Sequence, residues 1–183
     1  LVPFGAMWRT GANENTTISF STPVKIEGQM LPAGTYALYA IPGASQWTMI
    51  FSKFTGDWGA YNYDPSEDAL RVAVTPQSVA ESQERLSYTF DDVTNSSAIA
   101  SLRWEKLRVP MKIEVDLPST MRASIASTLR GGKHWDPAAW TAAARWEFRN
   151  GGVDTALDYI NHALALSTTS GALRTKAAIL EKK

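Results

Sequence analysis

The chain has 183 residues, a 44% hydrophobic share and equal numbers of basic and acidic side chains, 18 of each. That length can bury one large core or two small ones, and the composition excludes a disordered chain. A formal charge of zero leaves no basic field for phosphates, so nucleic acid is not an expected partner. The absence of cysteine removes disulfides, thiolate metal sites and cysteine nucleophiles together. No apolar run approaches the ~20 residues of a membrane-spanning helix. The chain begins at Leu1 rather than Met, inside sequence that reads as structured. That fits a processed or trimmed protein whose signal peptide has already gone.

Two regimes follow one another, with the switch near residue 117. In the first, apolar residues recur with period two, the signature of half-buried strands. Ile18 and Phe20 alternate with polar neighbours, as do Val24 and Ile26 before Gly28 breaks the run. Pro32-Ala33-Gly34 is a turn, and Tyr36, Leu38 and Ala40 then share a face. Pro42-Gly43 turns the chain again ahead of Trp47, Met49 and Phe51. Leu70, Val72 and Val74 form the next strand, ended by Pro76; Leu86, Tyr88 and Phe90 form another, followed by a break at Asn95-Ser96-Ser97. Ala98 to Glu105 reads as a strand, and Leu107, Val109, Met111, Ile113 and Val115 as a separate one with a charged face. Pro110 places that strand at an edge or at a bulge. About eight short strands joined by turns predict an antiparallel β-sandwich, jelly-roll-like, over residues 1–116.

From residue 117 onward the period is helical. Ser119 or Thr120 is expected to cap a helix carrying Met121, Ile125 and Leu129 and stopped by Gly131-Gly132. Asp136-Pro137 starts a second helix, through Trp140, Ala144 and Phe148. A third spans roughly Val153 to Leu166, and Ser170 opens a fourth with Leu173, Ala177 and Leu180 on its face. The expected class is therefore α+β, a sandwich followed by an α-helical tail at 117–183. Trp140, Ala156 and Ala163 have the spacing of a single tetratricopeptide unit, although Ala143-Ala144 and Thr168 replace its Leu-Gly pair and terminal proline.

Trp8-Arg9-Thr10-Gly11-Ala12-Asn13-Glu14 with Thr16, Leu31-Pro32-Ala33-Gly34-Thr35-Tyr36, Ile41-Pro42 and Trp47-Thr48 recur together in one family. Trp58-Gly59 with Tyr61, Leu70-Arg71-Val72 and Trp104-Glu105 continue the set in order. On these motifs the chain resembles the bacterial domain-of-unknown-function 2911 family over most of residues 1–115. The resemblance implies an exported protein, periplasmic or extracellular, and no assigned activity. Family members usually have further sequence, including a strand, before Val2-Pro3-Phe4-Gly5. A sandwich short of a strand exposes an edge that another chain can complete by β-augmentation, which suits a subunit of an assembly.

The candidate ligand-binding residues are Arg9, Asn13, Glu14, Trp58, Tyr61 and Glu105. Arg9 can hold a carboxylate or hydroxyl pair while Glu14 accepts hydrogen bonds. The alternative is a polar brace, in which Arg9 pairs with Glu14 or, across strands, with Glu105, and Asn13 satisfies a turn at Gly11. Trp47, Trp58, Tyr61 and Tyr63, with Phe54, offer flat faces for sugar rings; the alternative is that Trp47 belongs to a strand's core face and Trp58-Gly59 anchors the 54–68 loop against the sandwich. Asp57, Asp64, Glu67 and Asp68 give that loop oxygen ligands for calcium, although Asp64-Pro65-Ser66 also reads as a turn. His134 and His162 lie in the helical tail, and an i, i+4 pair with Asp158 accounts for His162. Glu14 with Glu105 is the pair a glycosidase-like hydrolase would use. Asn15-Thr16-Thr17 and Asn95-Ser96-Ser97 match the short glycosylation pattern.

The expectation is an exported binding module or assembly subunit, with a carbohydrate-binding or carbohydrate-active domain as the alternative. No catalytic residue, metal or cofactor is assigned. Partners are another protein or a second copy, through edge strands or the helical tail, with carbohydrate also possible.

Overall fold

A computed structural model describes residues 2–183; Leu1, on which the expectation of a trimmed start rests, lies outside them. The chain divides into two compact units, Leu1–Leu117 and Pro118–Lys183. The first holds β1 (Thr17–Phe20), β2 (Val24–Ile26), β3 (Gln29–Leu31), β4 (Gly34–Ile41), β5 (Trp47–Ser52), β6 (Asp68–Val74), β7 (Gln77–Asp91) and β8 (Ser97–Glu114). They form two four-stranded sheets of order β1-β4-β5-β6 and β3-β2-β8-β7, and every pairing is antiparallel. Val24, Ile26, Leu31, Leu102, Val109 and Met111 from one sheet meet Tyr36, Leu38, Met49, Phe51 and Val72 from the other in a single core. The expected fold class, an antiparallel sandwich of about eight strands and a helical tail, is the one observed.

The strands are not all divided as expected. Gln29–Leu31 forms a short β-hairpin with β2 that the sequence pattern did not suggest, with Glu27 and Gly28 at positive φ in its turn. The two strands expected on either side of residue 106 are one strand, β8. Its inward residues are even-numbered before the join (Ala100, Leu102, Trp104) and odd-numbered after it (Leu107, Val109, Met111, Ile113). That change of phase reads like a chain break in the sequence. In the fold it is a bulge: Glu105 has φ 51°, and the register with β7 shifts on either side of the Gln83–Glu105 pair. Pro110 is not at a sheet edge, because β8 lies between β2 and β7. It falls between the part of β8 registered with β7, up to Arg108, and the part registered with β2, from Ile113. No ladder there requires the missing N–H.

β4 is buried on both faces. Tyr36, Leu38 and Ala40 point into the sandwich, whereas Ala37, Tyr39 and Ile50 of β5 form a second small core on the outer face. Met7, Ala60 and Tyr63 close over that outer core, so the loop after β5 covers the sheet.

The helices are α1 (Leu117–Arg130), α2 (Pro137–Arg149), α3 (Val153–Leu166) and α4 (Ser170–Lys182), and all their residues but Leu117 belong to the second unit. α1 starts before Ser119 and Thr120, because Pro118 is preorganised for a first helical turn. Asp136 caps α2 as expected, accepting from the N–H groups of Ala138 and Ala139. Ala144, Ala156 and Ala163 are fully buried between α2 and its neighbours, and their small side chains allow close helix approach. In α4 the buried residues are Ala172, Thr175 and Ile179, not the expected Leu173 and Leu180, which are half exposed. The buried face of α4 is thus set one position before each of those leucines.

Candidate functional site

The segment before β1 runs along the same edge of β4 that β1 uses. Trp8 and Ala40 exchange two backbone hydrogen bonds of 2.8 Å, Gly5 N–H donates to Pro42 O, and Leu38 N–H donates to Thr16 O. The chain thus leaves the sheet edge after Trp8 and returns at Thr16. Strand-like alternation persists up to the exit: Met7 joins the outer core and Trp8 packs on the inner one.

The excursion from residue 9 to residue 15 is held by side chains to which the sequence pattern assigned other roles, or none. Thr10 is fully buried with φ 53°, and its hydroxyl donates to Leu38 O at 3.0 Å. Its carbonyl accepts from the hydroxyls of Tyr88 (2.9 Å) and Thr16 (3.4 Å), linking this segment to the other sheet. Asn15 donates to the Tyr39 hydroxyl at 2.9 Å and accepts from Asp57 N–H at 2.8 Å. The Tyr39 hydroxyl in turn donates to Asp57 Oδ2 at 2.8 Å. Burial, with the Asp57 carboxylate beside it, pushes the Tyr39 hydroxyl up to about 12. Both ends of the Asn15 amide are engaged, which accounts for it without a glycan. A tyrosine tip within an otherwise apolar strand was the available signal, since a buried hydroxyl needs a partner.

The expected site residues are placed unevenly. Arg9 forms no ion pair with Glu14 or Glu105 among the described residues; its Nε donates to Gly11 O at 3.2 Å. Asn13 and Glu14 are exposed, Asn13 with φ 62°, and Glu14 bridges through its backbone to Trp58. The brace exists, but it is built from Thr10, Asn15, Tyr39 and Asp57 rather than from an Arg9 salt bridge. Trp58 and Tyr61 are 59% and 88% exposed, so neither anchors the loop by burial. Tyr63 does the anchoring, packing edge-on against Tyr39, while Trp47 lies in the core as part of its strand.

Arg9, Met7, Trp8 and Gly11 line one side of a groove of about 320 Å³, and Ala60 and Tyr61 line the other. Gly59, at φ 93°, makes this possible, because a β-carbon there would lie 2.9 Å from the Tyr61 ring and 3.2 Å from an Arg9 guanidinium nitrogen. Glu105 lines a different cavity, of about 160 Å³, with Trp8, Trp47 and Trp104. Glu14 and Glu105 therefore do not face each other across either opening.

Three of the four acidic residues of the loop are engaged one by one. Asp64 caps the 3-10 turn Pro65–Glu67 through Ser66 N–H, which holds its carboxyl below the usual range. Asp68 accepts from the Tyr63 hydroxyl and from Arg71, and Asp57 is tied to Tyr39. No cluster of three potential metal ligands occurs among the described residues. His162 does not pair with Asp158 there either; its ring lies 4.0 Å from that of Trp140.

No helix among the described residues is long and apolar enough to cross a membrane. Neither a curated protein nor a solved structure gives a significant match. The model of a family described as "Protein of unknown function (DUF2911)" matches residues 1–113, which takes in the groove, the brace and nearly all of β8. The chain belongs to that family, and its two-sheet unit is the part that carries the membership.

Proposed function

We propose that this is an exported bacterial binding module whose ligand lies in the groove between Trp8–Gly11 and Ala60-Tyr61. One observation carries the proposal: Arg9 lines that groove without an acidic partner, opposite a tyrosine ring that is 88% exposed. A guanidinium offers a fork of donors to a carboxylate or a pair of hydroxyls. An exposed aromatic ring offers a flat apolar face. Together they suit a saccharide, foremost one carrying a carboxylate.

An oligosaccharide array followed by calorimetric titration tests this. Arg9→Ala should weaken binding at least tenfold, given about 1.5–3 kcal/mol for a hydrogen bond to a charged group, and Tyr61→Ala should weaken it by removing the apolar face. Gly59→Ala should weaken it similarly by displacing both side chains. Binding untouched by all three variants would place the ligand elsewhere. Export rests on the family resemblance and is tested by fractionating cells that make the full-length protein.

Self-assembly is a second reading. β7 pairs with β8 on one side only, leaving an outer edge fifteen residues long without a strand partner among the described residues. Such an edge can accept a strand from another copy. A monomer at all concentrations in sedimentation velocity would count against it.

A further inference from the structure

The second cavity lies on the inward side of the segment whose outward side forms the groove. Its aromatic walls are Trp8, Trp47, Trp104 and Phe4, with aliphatic side chains, Val2 and Leu107 among them, beside these. The rings of Trp8 and Trp104 are stacked with centroids 6.0 Å apart, and Trp47 meets Trp8 edge-to-face at 6.1 Å. The three indole walls are fixed before any ligand arrives. Trp8 is held by two backbone bonds to Ala40, Trp47 sits in the core, and Trp104 Nε1 donates to Glu84 O at 3.2 Å.

Glu105 also lines this cavity, and that is unusual. Trp104 and Glu105 are consecutive, and consecutive residues of a regular strand point to opposite faces. The bulge at Glu105, φ 51°, brings both to one opening. Among the described residues no lysine, arginine or histidine forms an ion pair with Glu105. An apolar aromatic chamber whose lining holds one carboxylate and no cationic side chain is complementary to a positive, weakly hydrated guest. Aromatic faces attract cations through the ring quadrupole, and alkylated ammonium groups lose little hydration on entering.

We propose that this cavity binds an alkylated ammonium group, of the trimethylammonium kind, with the indoles around the methyl groups and Glu105 opposite the charge. The volume suits it: about 160 Å³ is close to the ~150 Å³ of an engineered apolar cavity that takes benzene. This site is separate from the Arg9 groove, although Trp8 borders both.

The test is tryptophan-fluorescence titration of the full chain with tetramethylammonium and choline chlorides, against sodium chloride at equal ionic strength. The uncharged choline isostere 3,3-dimethyl-1-butanol is the comparison ligand. Saturable choline binding in the millimolar range is expected, about tenfold tighter than the isostere. Glu105→Gln should weaken choline about tenfold and leave the isostere unchanged, and Trp104→Leu should weaken both. Should Trp104→Leu fail to fold by circular dichroism, the Glu105→Gln arm decides alone. Arg9→Ala should leave choline binding intact, so failure of the groove and failure of this cavity are distinguishable. Equal affinity for choline and its isostere, no saturable binding by the unmodified chain, or unchanged choline binding by Glu105→Gln would each overturn the proposal.

Discussion

Tyr39→Phe removes one hydroxyl from the middle of the brace while keeping the ring that packs against Tyr63. The Tyr39 side chain is 1% exposed and Asp57 is 8% exposed, so water has little room to replace what is lost. The variant strips the Asp57 carboxylate of a 2.8 Å donor and the Asn15 amide of its 2.9 Å acceptor. A hydrogen bond to a charged group contributes about 1.5–3 kcal/mol, and an orphaned buried amide donor adds about 1 kcal/mol. A loss of about 3 kcal/mol follows, or about 12 °C in Tm for a unit of this size. Urea unfolding followed by tryptophan fluorescence measures it. Hydrogen exchange should show the extra opening concentrated in residues 54–63, because the tie holds that loop. Asp57→Asn made in both backgrounds gives the coupling between the pair, expected near 1 kcal/mol or above. A Tyr39→Phe loss below about 0.5 kcal/mol would refute the brace as the element that holds the loop.

Two further outcomes are expected. Tyr39, Tyr63 and Tyr88 are each pushed up to about 12, chiefly by burial. An unfolded tyrosine loses its proton near 10, so between pH 10 and 12 the unfolded chain holds fewer protons than the folded one. Stability is then fully present below pH 10 and falls as pH rises through about 12. Equilibrium unfolding across that window should show it, and Tyr88→Phe should flatten the slope by about one proton. In the helical unit, Ala163→Leu puts a large side chain where a fully buried alanine lets α3 meet its neighbours, at a cost of about 1–3 kcal/mol. Far-UV circular dichroism during heating reads that loss.

The sandwich was legible because period-two patterns survive in the sequence wherever one sheet face is buried, as in Val72 and Val74. β4 shows where the signal thins: Ala37 and Tyr39 are as buried as Leu38, because a distant loop folds over the outer face. The Trp8–Glu14 segment stood out for its polar density, yet its roles were distributed differently from expectation. Arg9 looked ready for an acid and has none among the described residues, whereas Asn15 and Asp57 are 42 positions apart and meet directly. Spacing along the chain carries no information about such a pair. The N-cap at Asp136 needed only its own neighbours and was readable for that reason.

The bulge in β8 has a further consequence, for chain length. Before Glu105 the core takes even positions and after it odd ones, so the strand runs in two reading frames joined at one residue. Removing one residue at that join would merge the frames only if the bulge straightened at the same time. If the bulge persisted, the distal half would turn Arg108 and Lys112 toward the core and Val109 and Met111 outward. The middle of β8 should therefore tolerate many substitutions on its wet face, but hardly any insertion or deletion.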